Sequence, residues 1–149
     1  MSEKDPIRVM ASHGWQADED YLRLFEYLES TTNFFYENVL EPHGSPDSES
    51  VAQRRTRVLD AMKRTEVLVV MSGQYDQFRD WLDFDISAAK AHSRPIVLVE
   101  PFGPNEAPEE LKSKADVIVG WDSRSLEDAI RVQARQDMSK RYDVIDFDL

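Results

Sequence analysis

Cysteine is absent from the 149 residues of this chain. Without it there are no disulfides, no thiolate nucleophile and no zinc site built on sulfur ligands. The sequence also has no apolar run near the ~18 residues of a transmembrane helix, and its first residues, MSEKDPIRV, contain no secretory hydrophobic segment. We therefore expect a cytoplasmic protein that does not bind or cross a membrane.

Basic residues are outnumbered by acidic ones, 18 to 29, which gives a formal net charge of −11. Nucleic-acid binding depends on clustered Lys and Arg side chains that neutralise phosphates, so no nucleic-acid partner is expected. Two basic clusters are interpreted as solvated helix surfaces. They consist of Arg54, Arg55, Arg57, Lys63 and Arg64, and of Arg131, Arg135, Lys140 and Arg141.

Several signature motifs are missing as well. The sequence has no G-x-G-x-x-G turn, no G-x-x-x-x-G-K-[ST] loop and no G-x-S-x-G elbow, so it supports neither a dinucleotide-binding Rossmann turn, a P-loop nor a serine hydrolase. His13 has no second ligand at metal spacing, so no metal site is predicted.

Short apolar runs alternate with amphipathic segments along the chain. Five runs are predicted as strands: Ile7–His13, Phe34–Leu40, Glu66–Met71, Pro95–Glu100 and Val117–Gly120. Within the third and fourth runs, Val67–Met71 and Ile96–Val99 are apolar throughout, which is typical of strands buried on both faces. The fifth is predicted as the last central strand.

Helices are predicted between these strands. The first starts near Asp18, the second is capped by Ser48 or Ser50, the third spans Asp76–His92, and the last is capped by Ser123 or Ser125. Their apolar positions include Leu22, Leu24, Phe25 and Leu28 in the first, Val51, Val58, Leu59 and Met62 in the second, and Leu126, Ile130 and Val132 in the last. This alternation predicts a single α/β domain, with a parallel sheet and helices on both faces.

Asp85 departs from the pattern of its helix because it falls within the apolar stripe. That stripe consists of Phe78, Trp81, Leu82, Ile86 and Ala89. A carboxylate on the buried side of a helix costs free energy unless it is hydrogen-bonded, paired or facing a wet cavity. Two interpretations stay open: a structural contact to neighbouring backbone, or a carboxylate at the rim of a pocket.

Ligands of open parallel sheets bind beyond the carboxyl ends of the strands. Candidate residues at that edge are Ser12, His13 and Trp15 after the first strand and Ser72 and Tyr75 after the third, with Trp81 one turn before Asp85. The Pro/Gly loop at Glu41–Ser50 is predicted on the same side. A local hydrogen-bonding role for His13 and a packing role for the two tryptophans are the simpler alternatives.

Taken in order, six segments resemble a bacterial TIR-like domain of the Thoeris ThsB type. They are RVMASHGW at Arg8–Trp15, the loop at Glu41–Ser50, VLVVMSGQY at Val67–Tyr75, WLDFDI at Trp81–Ile86, RPIVLVEPFG at Arg94–Gly103 and VIVGWD at Val117–Asp122. The resemblance runs over about Ile7–Arg131, which leaves 132–149 as an acidic and apolar tail of the single domain 1–149. That tail is expected to dock on the body, add an edge strand or bind a partner.

The resemblance implies a flavodoxin-like fold around a central parallel five-stranded sheet. It also implies an enzyme of antiphage defence that takes NAD as a substrate rather than a cofactor and cleaves its nicotinamide–ribose bond. The product would be an ADP-ribose-derived signal, cyclised or hydrolysed, that activates an effector protein. Assembly into a homo-oligomer on activation is implied too.

The family pattern W-x-x-x-E places its catalytic Glu on the third helix, where this chain has Trp81 and Asp85. The resemblance therefore implies that Asp85 is catalytic and that Ser12, His13, Trp15, Ser72, Tyr75 and Trp81 line the substrate site. Asp is shorter than Glu by about 1.5 Å, and a displacement of ~1 Å can cost ~100-fold in rate. The shorter side chain supports one alternative, a catalytically silent TIR-like interaction module. The other alternative is a nucleoside deoxyribosyltransferase-like enzyme, which shares the fold and a helix acid.

Overall fold

A computed structural model of the chain describes residues 1–42 and 49–136. Within them a parallel sheet has the strand order β2-β1-β3-β4-β5. The strands are β1 (Ile7–Ala11), β2 (Tyr36–Asn38), β3 (Val67–Met71), β4 (Ile96–Val99) and β5 (Val117–Val119). The parallel α/β fold of flavodoxin type is confirmed.

Five α-helices connect or follow the strands in the described part of the chain. They are α1 (Glu19–Leu28), α2 (Val51–Arg64), α3 (Tyr75–Ala91), α4 (Glu109–Lys112) and α5 (Ser123–Arg135). A 3₁₀ turn at Ser72–Gln74 links β3 to α3. The single turn α4 had no counterpart among the predicted helices.

Side chains of the strands alternate between two apolar layers. Helices α2, α3 and α4 pack on one face, and α1 and α5 pack on the other. In β3, Leu68 and Val70 contact the first layer, whereas Val67, Val69 and Met71 contact the second. Burial on both faces explains why this strand is apolar throughout.

Three details of the predicted elements are wrong. The strand at Val117–Val119 is an edge strand with only half-buried or exposed side chains, not a central one. The cap of α5 is Asp122, whose side chain accepts from the N–H of Ser125, whereas Ser50 does cap α2. Leu22, Val51 and Leu59 are exposed, because the faces of α1 and α2 that meet the sheet are centred on other residues.

The second basic cluster is not a solvated surface. Arg131 is buried, with its guanidinium over the ring of Phe34. Arg135 lies 2.8 Å from both a Glu66 and an Asp5 carboxylate oxygen, so it joins the end of α5 to the start of the sheet. Lys140 and Arg141 lie outside the described residues.

Helix α5 continues through Arg135, four residues into the predicted tail. The part of that tail beyond Gln136, residues 137–149, lies outside the described residues. So does most of the predicted loop at Glu41–Ser50, namely 43–48. In the described ranges, no helix has both the length and the apolar character needed to cross a membrane.

Candidate functional site

The carboxyl ends of β1 and β3 are joined by the hydroxyl of Ser12. Its Oγ accepts a hydrogen bond from the N–H of Met71 at 3.0 Å and donates one to Oε1 of Gln74 at 2.7 Å. Gln74 in turn donates to Asp18, which caps α1. Ser12 and Gln74 are fully buried, so this network positions the strand ends and the start of α1 relative to each other.

Ser72 makes the equivalent connection between β3 and β4. Its buried hydroxyl donates to the backbone carbonyl of Val99 at 2.7 Å. Both serines predicted to line a substrate site therefore have their hydroxyls in hydrogen bonds of the fold itself. Their role in substrate binding stays a prediction, and the geometry favours an indirect contribution through the loops that they hold.

His13 is 4% exposed and uses both ring nitrogens in hydrogen bonds to backbone. Nδ1 accepts from the N–H of Trp15 at 3.1 Å, and Nε2 lies 3.1 Å from the carbonyl of Leu40. An acceptor at Nδ1 and a carbonyl at Nε2 require the neutral imidazole that carries its proton on Nε2. Burial lowers its pKa to about 4, with a further contribution from Arg57. His13 thus ties the turn after β1 to the end of β2.

Trp15 has a left-handed backbone, with φ at 65°. Such a conformation is unusual for a bulky residue and costs on the order of 1–3 kcal/mol. Its side chain is 8% exposed, and its indole N–H is buried without a hydrogen-bond partner among the described residues. Strained backbone and an unpartnered buried donor are both uncommon in a protein interior and are often found at functional sites.

Gly14 allows the turn before Trp15 to lie on α3. A Cβ at this position would come within 2.1 Å of the Phe78 ring. Phe78 has non-helical backbone angles, with φ −122° and ψ 35°, so α3 bends at the point of contact. The close approach of Gly14 and Phe78 sets where the turn after β1 meets the helix that carries Asp85.

Trp81 meets Trp15 edge to face, with ring centroids 5.8 Å apart. Phe84 packs edge to face against Trp81 in the same way at 6.2 Å. Because residues four apart on a helix are neighbours, Asp85 lies one turn beyond Trp81 on α3. The turn after β1 and helix α3 therefore present an aromatic group that ends at a carboxylate.

Asp85 is 4% exposed, as the apolar stripe of its helix predicts. No hydrogen bond or ion pair joins its carboxylate to another of the described residues. Burial raises the pKa of this carboxyl well above the usual value for Asp, because the charged form loses its hydration without gaining a partner. A structural polar contact, the simpler interpretation, is not found in the described part of the chain.

Two arginines of α2 complete this group. The sequence pattern predicts them to be solvated. The guanidinium carbons of Arg57 and Arg54 lie 4.9 and 5.4 Å from the centre of the Trp15 ring, within range of cation–π attraction. Both arginines pair with Glu49. Sequence spacing gave no sign of this contact, because it joins residues about 40 positions apart.

Tyr75 differs from the other predicted site residues. Its ring is buried, and its hydroxyl donates to Asp83 on the same helix at 2.9 Å. Burial and this carboxylate raise its pKa to about 12. In contrast, His13, Trp15 and Trp81 form one chain of ring contacts that ends one turn from Asp85.

Metal binding would need a cluster of donor side chains. In the described residues there is no group of three or more His, Asp or Glu side chains that is placed to hold a metal ion. The chemistry of this group is instead that of one buried carboxyl, a set of aromatic rings and two guanidinium groups.

Comparison with known proteins identifies one family. The family model described as "Thoeris protein ThsB, TIR-like domain" matches residues 11–106, well over half of the chain. The matched region contains every residue of the group described above. No curated protein matches the chain at a significant level.

Proposed function

This chain belongs to the family of TIR-like domains of the Thoeris protein ThsB, a signalling module of antiphage defence, and we propose that it cleaves the nicotinamide–ribose bond of NAD. The product is an ADP-ribose-derived signal, cyclic in our proposal, that activates an effector protein. NAD is the substrate. Asp85 is the catalytic residue, and Trp15 and Trp81 line the pocket.

The observation that carries this proposal is the environment of Asp85. It combines burial, a raised pKa and the absence of a hydrogen-bond partner among the described residues. A carboxylate in such surroundings is costly to the fold and is a candidate for chemistry. Its position four residues after Trp81 corresponds to the acid of the family pattern W-x-x-x-E.

One carboxylate is sufficient for this reaction. Breaking the bond between nicotinamide and ribose develops positive charge on the ribose, as in glycoside hydrolysis. Nicotinamide leaves as a neutral molecule, so no general acid is needed. An ionised Asp85 stabilises the developing cation, most strongly where water is excluded. The ribose carbon that loses nicotinamide then bonds to a nucleophilic atom of the same ADP-ribose unit, which gives the cyclic product, or to water, which gives ADP-ribose and releases a proton.

The raised pKa gives the reaction a pH dependence. Asp85 must ionise to act, and the positive charge of the nicotinamide ring favours the ionised form once NAD is bound. Activity should therefore increase as the pH rises through the pKa of Asp85 in the free protein, which lies above the usual range for Asp.

Nicotinamide release from NAD, followed by chromatography with and without an activating trigger, tests the proposal. We expect the wild-type chain to release nicotinamide, at a rate that falls as the pH is lowered. If no nicotinamide were released at any pH, with or without the trigger, NAD cleavage would be excluded and the silent module favoured. Release of a nucleobase from a deoxynucleoside instead would identify a deoxyribosyltransferase-like enzyme.

A silent interaction module is the second candidate, and Asp85 itself is the observation that favours it. The side chain is shorter than the Glu of the family pattern, and a buried carboxyl that keeps its proton cannot stabilise a cation. In that case the chain acts in defence by self-association or by docking to the effector.

A further inference from the structure

Glu49 lies between two arginines at the start of α2. Its Oε1 is 3.0 Å from Nη1 of Arg57 and 3.5 Å from Nε of Arg54. Only 12% of the Glu49 side chain is exposed, compared with 35% for Arg57 and 25% for Arg54. The carboxylate therefore occupies a partly desolvated position that two guanidinium groups make strongly favourable to an anion.

The same guanidinium groups cover the Trp15 ring, whose buried N–H has no partner among the described residues. Arg57 also borders an open groove of about 420 Å³ that runs between the end of β2 and α2. A ligand can thus approach Arg57 from solvent along this groove. The orphan indole donor is a second polar group at this position that the fold leaves for a ligand.

We infer that Arg54 and Arg57 form a subsite for the diphosphate of a dinucleotide, and that Glu49 holds this subsite until the diphosphate displaces it. The inference rests on the proposed function for the identity of the dinucleotide as NAD. It assigns to Glu49 the role of a built-in competitor for the anionic part of the substrate.

Charge complementarity supports a diphosphate rather than a single carboxylate as the occupant. Two guanidinium groups carry two positive charges, and the diphosphate of a dinucleotide carries two negative charges, whereas a carboxylate carries one. Arginine also matches phosphate oxygens with two parallel hydrogen bonds. The positive end of the α2 dipole adds to the attraction for an anion.

The position of the subsite is linked to that of Asp85. Trp15 lies between the arginine pair and Trp81, and Asp85 is one helical turn, about 5.4 Å, beyond Trp81. Ring contacts through Trp81 and Trp15 thus connect the arginine pair to the helix that carries Asp85. The proposed anion subsite and the proposed catalytic carboxyl therefore belong to one connected group of side chains.

Binding of ADP-ribose, measured by isothermal titration calorimetry, tests the subsite without requiring cleavage. Arg57→Gln should weaken binding about 10-fold or more, the usual loss for a charge-assisted pair. Glu49→Gln should tighten it several-fold by removing the competitor. Adenosine, which has no phosphate, should bind all variants with equal affinity.

Two exposed residues provide matched controls. Lys63→Gln removes one positive charge as Arg57→Gln does, and its side chain is 67% exposed. Glu109→Gln removes one negative charge as Glu49→Gln does, and its side chain is 91% exposed. We expect each control to stay within about twofold of wild type, since exposed charges are screened. If Arg57→Gln unfolds, Arg57→Lys replaces it, because lysine keeps the charge and loses the paired donors.

The inference is wrong if Glu49→Gln weakens ADP-ribose binding, or if the Arg57 variants behave as Lys63→Gln does. It also fails if the wild-type chain does not bind ADP-ribose. NAD cleavage that is insensitive to Arg57 would overturn the subsite and leave the proposed function standing. ADP-ribose binding that depends on Arg57, without nicotinamide release, would overturn the proposed function and leave the subsite standing.

Discussion

His13 accepts a hydrogen bond at Nδ1 from the backbone N–H of Trp15, with an N···N distance of 3.1 Å. This contact supports a bulky residue in a left-handed conformation. It requires an unprotonated Nδ1, because a proton on that nitrogen would face the N–H of Trp15. The shape of the turn after β1 is thus linked to the charge state of one buried imidazole.

Acid stability should depend on His13. Its pKa is about 4 in the folded chain and about 6.5 when unfolded, so between these values only the unfolded state gains a proton. Stability should therefore fall by up to about 3 kcal/mol as the pH drops from 6.5 to 4. His13→Asn should reduce this loss, because Oδ1 of Asn still accepts from Trp15 and does not titrate.

Urea unfolding of wild type and His13→Asn between pH 4 and 8 measures the difference. At pH 8 the variant should be about 1 kcal/mol less stable, since the hydrogen bond to Leu40 is lost. His92→Asn is the control, because His92 bonds only to the last turn of its own helix among the described residues. Equal slopes for wild type and His13→Asn would disprove the assignment.

Asp85→Asn should abolish NAD cleavage, because asparagine keeps the size of the side chain and removes the negative charge. We expect a loss of at least about 100-fold in nicotinamide release, comparable to removal of one stabilising group from other active sites. Asp80→Asn, an exposed residue of the same helix, should retain wild-type activity.

The stability of Asp85→Asn distinguishes loss of chemistry from loss of fold. Because burial raises the pKa of Asp85, the folded state keeps a proton that the unfolded state releases. The protonated carboxyl therefore stabilises the fold fully below the pKa of Asp85 in the unfolded chain, about 3.9, and this stabilisation is lost as the pH rises through the pKa in the folded chain. At pH 7 the melting temperature of Asp85→Asn should equal or exceed that of wild type. If this stable variant turned over NAD at the wild-type rate, Asp85 would not be part of the mechanism.

Asp85→Glu tests whether the pocket has been rebuilt around the shorter side chain. If the family geometry persists, the extra carbon should raise NAD cleavage from a low basal rate. A decrease would show instead that the pocket is fitted to Asp. An unchanged rate would place position 85 outside the chemistry.

The sequence was a good guide where one local pattern decides the structure. The all-apolar run of β3 predicted burial on both faces, and the helical spacing around Asp85 predicted its position on the buried side. Both depend only on the period of a single element. The order of such elements was enough to identify the family.

Contacts between distant segments could not be predicted in this way. Helix spacing suggested that Arg57 is solvated, because the pattern contains no information about Trp15 on another element. The left-handed conformation of Trp15 is equally hidden, since bulky residues normally avoid it. The cap of α5 was assigned to a serine although the preceding Asp122 makes the bond.

Gly14→Ala should disturb the contact between the turn after β1 and α3. The added Cβ would overlap the base of the Phe78 ring, which cannot move without shifting the bend in α3. We expect a loss of stability of about 1–3 kcal/mol, typical of overpacking, together with lower activity. Gly120→Ala is the control, because its Cβ meets no atom within 4 Å. Equal denaturation midpoints for the two variants would refute the contact.

Self-association is the remaining proposal for activation. TIR-like domains are expected to complete their active sites by stacking, and the predicted loop at Glu41–Ser50, with two prolines and a glycine, is the candidate for that contact. Phe102 and Ile118 are exposed near the β5 edge and offer further apolar surface to a second copy. We therefore expect a basal activity that is low in the isolated chain.

Specific activity should rise with protein concentration or with an activating trigger. The net charge of −11 opposes stacking of identical chains, and this repulsion weakens as salt shortens the Debye length to about 8 Å at physiological ionic strength. The rise should therefore be steeper at 150 mM salt than at 10 mM. Nicotinamide release is measured across a hundredfold range of concentration, with Asp85→Asn as the blank. A specific activity that is constant across this range, with and without a trigger, would exclude activation by self-association. If a second copy completes the site, the activity per chain must increase with the fraction of chains that are assembled.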